Sequence, residues 1–217
     1  MVSYERLRNI LLLWSSVISL GIPGDWIETG TWKGGCSMLA ADILRFALRQ
    51  PQCPQVRART IWLADTFEGL PPPRKEDKGK DSGGRVMDPP GSYGGYGGVE
   101  TVKSKFRERG YRIKEDGQVA SSQGFSIRFL VGRFKDTLPG ANISSIAVLR
   151  LDGDMYSSTM DALTTLYPKV VKKGYVIIDD YGHWIQCKRA IDEYFISNNL
   201  TYPLHTIDYT GRWFLKA

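Results

Sequence analysis

Two short acidic clusters in this chain each stand directly behind a run of apolar residues. The first is Asp152-Gly153-Asp154, after Ile146-Ala147-Val148-Leu149; the second is Asp179-Asp180, after Tyr175-Val176-Ile177-Ile178. Carboxylates gathered in one place repel one another unless a cation or shared protons offset them. A hard divalent ion held by oxygen ligands is the simplest resolution, with Asp152, Asp179 and Asp180 as its candidate ligands. Asp and Gly after strands also serve as helix caps and turn residues. That plainer role suits Asp154 best, because two strand ends supply the other three acids at once.

The apolar runs read as strands buried on both faces of a parallel sheet. Between them, Ser158 to Val171 carries Met160, Leu163, Leu166, Tyr167 and Val170 at helical spacing. The resulting β-α-β unit brings Asp152, Asp179 and Asp180 to the carboxyl edge of neighbouring strands, where open α/β sheets bind ligands. Upstream, Leu7, Ile10, Leu11, Trp14, Val17 and Ile18 fall on one helical face, with Arg8, Asn9, Ser15, Ser16 and Ser19 opposite. No small-x-small cleavage site follows, so a structural helix is expected and not a secretory signal. Trp26-Ile27-Glu28 reads as a strand ending at Thr29-Gly30, and Ser37 to Leu48 as a helix. Thr60 to Ala64, ending at Asp65, and Phe125 to Val131 supply two more strands, and Cys187 to Ser197 another helix. His205 to Tyr209 and Arg212 to Leu215 form a closing hairpin around Thr210-Gly211. The expected fold is α/β: a single domain with a Rossmann-like, doubly wound, mostly parallel seven-stranded sheet and a C-terminal antiparallel hairpin.

Pro71 to Gly98 stands apart, since nearly half of it is Gly or Pro. A loop this long inside a compact domain is usually functional or disordered. Its base lies near the ligand edge, so a substrate-covering lid and a solvent loop are both open. Val99 to Gly110 then resumes as an amphipathic helix with Val102 and Phe106 inward.

The net charge of +6 on 217 residues is scattered over positions such as Arg6, Arg45, Arg57 and Lys172. A nucleic-acid surface would show a denser basic stripe with interleaved aromatics. Cys36, Cys53 and Cys187 have no CxxC spacing, which points to a reducing, cytoplasmic compartment and away from a zinc site or a disulfide framework. His183 and His205 are too few for a histidine-rich metal site. No stretch is long and apolar enough to span a bilayer. The expected partner is a small molecule or glycan, and a homo-oligomer remains open.

The first strand-loop-helix runs Glu28-Thr29-Gly30-Thr31-Trp32-Lys33-Gly34-Gly35. A dinucleotide fold needs GxGxxG so that bare backbone can approach a pyrophosphate. Trp32 occupies the second glycine position, and there is no Walker lysine pattern. S-adenosylmethionine has no phosphate, so its site tolerates a bulky residue there while still needing the glycine turn. Asp65, at the end of the second strand, can accept both ribose hydroxyls or act as a turn cap.

Five segments in order then resemble one family. They are Pro23 to Gly35, Ala64 to Pro71, Gly132 to Pro139, Leu149 to Thr159, and Gly174 to Gly182. Together with Cys187-Lys188-Arg189-Ala190 and Ile207 to Gly211 they are similar to the successive signatures of the macrocin and mycinamicin O-methyltransferases. The resemblance implies a class I S-adenosylmethionine fold, Mg²⁺ dependence and methylation of a sugar hydroxyl. It makes Asp152 both metal ligand and general base, with Asp179 and Asp180 completing the metal site. Glu28, Thr29, Gly30, Thr31, Trp32, Lys33, Gly34, Gly35, Asp65, Thr66, Asp152 and Gly153 would hold the cofactor, with Gly132, Arg133 and Phe134 near its adenine. His183 is the rival base. The macrolide enzymes carry a further segment ahead of the first helix and a loop less rich in glycine and charge. Both departures turn the expected acceptor toward a glycan, a glycoside or a deoxysugar such as rhamnose. A catechol-type O-methyltransferase is the neighbouring reading, since catechols share the vicinal diol. From a different class, a non-catalytic binding module is the rival, and the intact acidic clusters argue against it.

Overall fold

The computed structural model describes residues 2–50, 59–78, 86–113 and 124–217. Cys53, Arg57 and residues 79–85 of the long loop lie outside the described residues. Helix α1 (Tyr4–Ser19) precedes β1 (Asp25–Thr29), α2 (Gly35–Leu48), β2 (Thr60–Asp65), α3 (Gly98–Glu108) and β3 (Ser126–Val131). A short α4 (Phe134–Thr137) leads to β4 (Ile146–Leu151), α5 (Tyr156–Leu166), β5 (Val170–Ile178), α6 (Ile185–Ser197), β6 (His205–Thr206) and β7 (Arg212–Leu215). The seven strands lie in the order β3-β2-β1-β4-β5-β7-β6. Pairs β1–β2, β1–β4, β2–β3 and β4–β5 are parallel, while β7 runs antiparallel to both β5 and β6. This is the doubly wound sheet with a reversed terminal hairpin that the strand and helix pattern predicts. Its strand order reverses between β1 and β4, the switch point at which ligands bind in such sheets.

Both sheet faces are covered. On one, Trp14, Trp26, Leu44, Val102 and Phe106 share a core; on the other, Leu149, Leu163, Leu166, Ile178 and Ile191 do. Every residue of β4 is buried, so a near-continuous apolar run is the only economical sequence for it. Arg150 breaks that run, and its reason lies in the site below.

Three expectations need correction. The buried face of α1 is Ile10, Leu13, Trp14, Val17 and Ile18, while Leu7 and Leu11 are 37% and 46% exposed. Helix α5 stops at Leu166, because Pro168 has no N–H to continue it and sits in a 3-10 turn, Tyr167–Lys169. Val170, expected on the helix, already opens β5. The hairpin is also shorter than expected: β6 is two residues long, because the Asp208 carboxylate accepts the Thr210 and Gly211 N–H groups and folds the segment into a turn. Val102 and Phe106 of α3 are buried as anticipated. Among the described residues, no helix is long and apolar enough to cross a membrane.

Candidate active site

Beyond their last ladder residues, the central strands remain stitched together. Gly30 N–H donates to the Ala64 carbonyl, Gly132 N–H to Asp65, Asp152 N–H to Thr29 and Asp179 N–H to Leu151, each at 2.9 Å. The loops that leave these strands therefore start from one fixed edge. At Gly30 (φ +85°) a Cβ would overlap the Asp152 carbonyl, so only glycine lets the first loop pass this close to the acidic one. Above the edge lies a cavity of about 490 Å³. Its wall on the β1–β3 side includes Gly30, Trp32, Asp65, Thr66, Arg133 and Phe134, and on the β4–β7 side Asp152, Gly153, Asp154, Asp179 and Asp180. Pro71, Pro72 and Arg74 of the long loop and Tyr93 and Tyr96 near its end also face it.

Other residues expected to hold the cofactor stand behind this wall. Glu28 is 1% exposed, accepting from Arg150 Nη1 at 2.8 Å and from Ser37 Oγ at 2.5 Å. Burial pushes its carboxyl up to about 7, with Arg150 opposing. Thr29 and Thr31 are buried, their hydroxyls bonded to the Arg150 and Ala64 carbonyls. Lys33 lies over the Trp32 ring at 4.4 Å, and Gly34 (φ +79°) is the left-handed residue from which α2 departs at Gly35. Asp65 is the organiser of this loop. Its Oδ2 accepts the Thr31 and Trp32 N–H groups at 2.6 and 2.8 Å and its Oδ1 the Phe67 N–H at 2.8 Å, while the Thr66 hydroxyl donates to the Gly69 carbonyl at 2.7 Å. A carboxylate has about four lone-pair sites, so the ribose contact expected of Asp65 competes with bonds already made. Tyr96 ties the long loop to this one, donating its hydroxyl to the Trp32 carbonyl at 2.8 Å.

On the other side, Asp152, Asp154 and Asp180 each offer an oxygen within 4.8 Å of the others. Asp154, the acid that capping explained best from sequence, joins this group. It takes a left-handed conformation (φ +57°), and its N–H donates to Asp180 Oδ2 at 3.3 Å. Burial, reinforced by the Asp152 and Asp179 charges, pushes Asp154 up to about 8; burial and the same crowding raise Asp180 well above the usual carboxylate range. Asp179 is set further back, 4% exposed, with Oδ1 accepting from Arg150 Nη2 and Oδ2 from Arg6 Nη1, both at 2.5 Å.

Sequence reasoning missed the two guanidiniums. Arg150, 1% exposed, reaches Glu28, Asp152 (2.6 Å) and Asp179; Arg6 on α1 bridges Asp179 and Asp208. A lone arginine inside an apolar strand was a usable signal for the first. For Arg6 there was none, because its partners are far away in sequence. Among the described residues, Arg150 and Arg6 are the cations paired with Glu28, Asp152, Asp179 and Asp208, and Asp154 and Asp180 stand beside them, which leaves an excess of negative charge in the cluster that protons or bound cations must offset. The donor set is hard oxygen, which fits Mg²⁺ and not a soft metal. His183 also lines the cavity, edge-on to Trp184 (4.8 Å) and Tyr209 (6.2 Å).

Comparison with known proteins sets this geometry in context. Residues 1–216 match the family described as Macrocin-O-methyltransferase (TylF). The chain is 40% identical to demethyldecarbamoylnovobiocin O-methyltransferase of Streptomyces niveus, covering all of this chain and 75% of that enzyme. It is 34% identical to mycinamicin III 3''-O-methyltransferase of Micromonospora griseorubida, over all of this chain and 78% of that one. The solved structure of the O-methyltransferase NovP superposes with a TM-score of 0.79 at 37% identity, covering 100% of this chain and 81% of that one. The calicheamicin methyltransferase CalS11 shares the fold, with a TM-score of 0.67 at 19% identity and coverage of 96% and 77%.

Proposed function

The chain belongs to the macrocin O-methyltransferase family and is an O-methyltransferase, and from that premise we propose that it methylates a hydroxyl of a sugar with S-adenosylmethionine and Mg²⁺. The observation that carries the reading is the cavity that joins the glycine loop at Gly30 to the carboxylates of Asp152, Asp154 and Asp180. Relatives named for methylating a rhamnosyl-tetracenomycin, mycinamicin III and demethyldecarbamoylnovobiocin support a sugar-bearing natural product as acceptor.

In this reading Asp152, Asp179 and Asp180 hold Mg²⁺, with Asp154 as an adjacent fourth carboxylate. Asp179 can serve even though both its oxygens accept from guanidiniums, because each oxygen has a second lone pair. When bound, the ion supplies Lewis acidity that lowers the pKa of an acceptor hydroxyl. The cofactor, when bound along the glycine loop, supplies an electrophilic sulfonium methyl. Asp152 takes the acceptor's hydroxyl proton. Arg150 holds its Oδ2, which leaves Oδ1 to receive it. Trp32, Arg133 and Phe134 enclose the cofactor, and the strap Pro71, Pro72 and Arg74 faces the acceptor. Alignment of oxygen with methyl by such walls is worth about 7–11 kcal/mol in well-oriented cases.

A transfer assay with labelled S-adenosylmethionine against rhamnosides, free deoxysugars and catechols tests this directly. Methylated rhamnoside, formed with Mg²⁺ and lost in chelator, is the expected result. Methylation of the catechols alone would move the chain to the catechol reading, and full turnover in chelator would remove the metal.

The raised carboxyls give a second check. In the metal-free protein Asp154 keeps its proton up to about pH 8, whereas unfolded it would release it near 3.8. The folded state therefore binds more protons between those values, and its stability falls as pH rises through that window. Asp180, a proposed ligand, is likewise raised well above the usual carboxylate range and must ionise with its neighbour Asp154 for Mg²⁺ to bind, so the stabilising effect of the ion grows as pH rises. The rise in Tm produced by Mg²⁺ is expected to be larger at about pH 8.5 than at about pH 6, with proton release visible by calorimetry. A metal effect that shrinks with rising pH would exclude these acids as ligands.

A further inference from the structure

One deeply buried carboxylate takes no part in the chemistry above. Asp77, 1% exposed, ends the 3-10 turn Lys75–Asp77 of the long loop. Its Oδ1 accepts the Ser157 N–H at 2.7 Å, and its Oδ2 accepts the Ser157 hydroxyl at 2.7 Å and the Arg74 N–H at 2.8 Å. Ser157 lies in the first turn of α5, whose N-cap residue is Met155 and makes no side-chain cap. First-turn N–H groups need acceptors, which Ser, Thr, Asp or Asn at the N-cap usually provides. Asp77 provides one from 80 residues away, and its charge suits the positive end of the helix.

The bond joins two parts of the site. On one side is the strap Pro71, Pro72 and Arg74 on the cavity wall. On the other is the run Asp152 to Met155, which passes directly into α5. Arg74 adds an ion pair to Asp161 on α5 at 2.7 Å, and Arg189 on α6 donates to the Glu76 carbonyl at 2.6 Å.

We infer that Asp77 is a positioning residue for methyl transfer: it caps α5 across the fold and so fixes the strap against the loop that carries Asp152. The inference rests on the proposed reading that the strap side receives the acceptor. Without the carboxylate, the first turn of α5 loses this anchor, and the strap is left with its outer ties, Arg74 to Asp161 and Arg189 to the Glu76 carbonyl. The cofactor side, built on the loops after β1 and β2, keeps its own bonds through Asp65.

The test compares Asp77→Ala, Asp77→Asn and Ser157→Ala with the wild type in the presence of Mg²⁺, with Arg189→Ala as a control on the outer strap contact alone. Asp77→Ala should lower kcat/KM for the acceptor roughly tenfold, inside the ~2–30-fold range that corresponds to N-cap losses. The change should appear in acceptor KM as well as kcat, with S-adenosylmethionine affinity within about twofold, and amide exchange at residues 155–158 should quicken. Asp77→Asn and Ser157→Ala, which each keep part of the bonding, should fall between, and Arg189→Ala should stay within about twofold. If Asp77→Ala does not fold, these two milder variants carry the test. Unchanged acceptor kinetics in folded variants, or equal weakening of cofactor and acceptor, would overturn the inference. A wild-type protein that methylates no glycoside would instead overturn the functional reading, while amide exchange would still report on the cap.

Discussion

Asp152→Asn is expected to lower turnover by about 10²–10⁴-fold while Mg²⁺ and cofactor still bind, the range seen when a general base is lost. The amide keeps an oxygen that can accept from Arg150, which now holds Oδ2 at 2.6 Å, and that can still face an ion. It has no useful basicity, so only proton removal is missing. Activity should return in part at high pH, where hydroxide can take the proton. His183 lines the same cavity and is the competing base. Rate–pH profiles and metal titrations of Asp152→Asn and His183→Ala decide between them. If the histidine variant shows the base-loss profile and the aspartate variant loses only metal, the proton goes to His183.

Arg150→Met should cost about 3–5 kcal/mol of unfolding free energy, the usual penalty for removing one partner from a buried ion cluster. Methionine fills much of the space, so little of the loss is cavity. What remains is Glu28, Asp152 and Asp179 facing one another without their shared guanidinium, at a site where Arg150 is 1% exposed. Glu28→Gln added to Arg150→Met should recover part of the loss, because Glu28 is the most buried of the three. Urea unfolding in metal-free buffer near neutral pH measures both variants. A loss below about 1 kcal/mol, typical of exposed pairs, would mean that the network is solvated and stabilises little.

The sheet was legible because its signals are local. Apolar runs ending in Asp or Gly marked β1, β2, β4 and β5, and the glycine spacing marked the first loop. Helix α5 was read too long because Met160 to Val170 keep helical spacing past Pro168, and the proline was the stronger signal. The site was legible as a list of acids and not as a network. Asp152 and Asp180 were brought together as their strand ends required, but the rank of Asp154 over Asp179 in the cluster depends on where Arg150 and Arg6 reach. Asp65 shows the same limit, since its backbone partners become visible only once the loop is folded. Asp77 is the extreme case: nothing around residue 77 indicates that it caps a helix 80 residues later.

The Arg6–Asp208 bond also bears on how the protein is made. Its partners are 202 residues apart in sequence, and Arg6 reaches Asp179 from the same side chain. Chains emerge at about 5–20 residues per second, so a nascent chain holds β1, β4 and their acids well before Asp208 exists to orient Arg6. Such distant pairings also carry the largest loop-closure cost and form late. The acidic pocket is thus finished only when the hairpin closes. Before that, the growing chain carries an under-compensated acidic edge, so on the proposed Mg²⁺ reading the ion is expected to raise refolding yield, which refolding with and without Mg²⁺ measures.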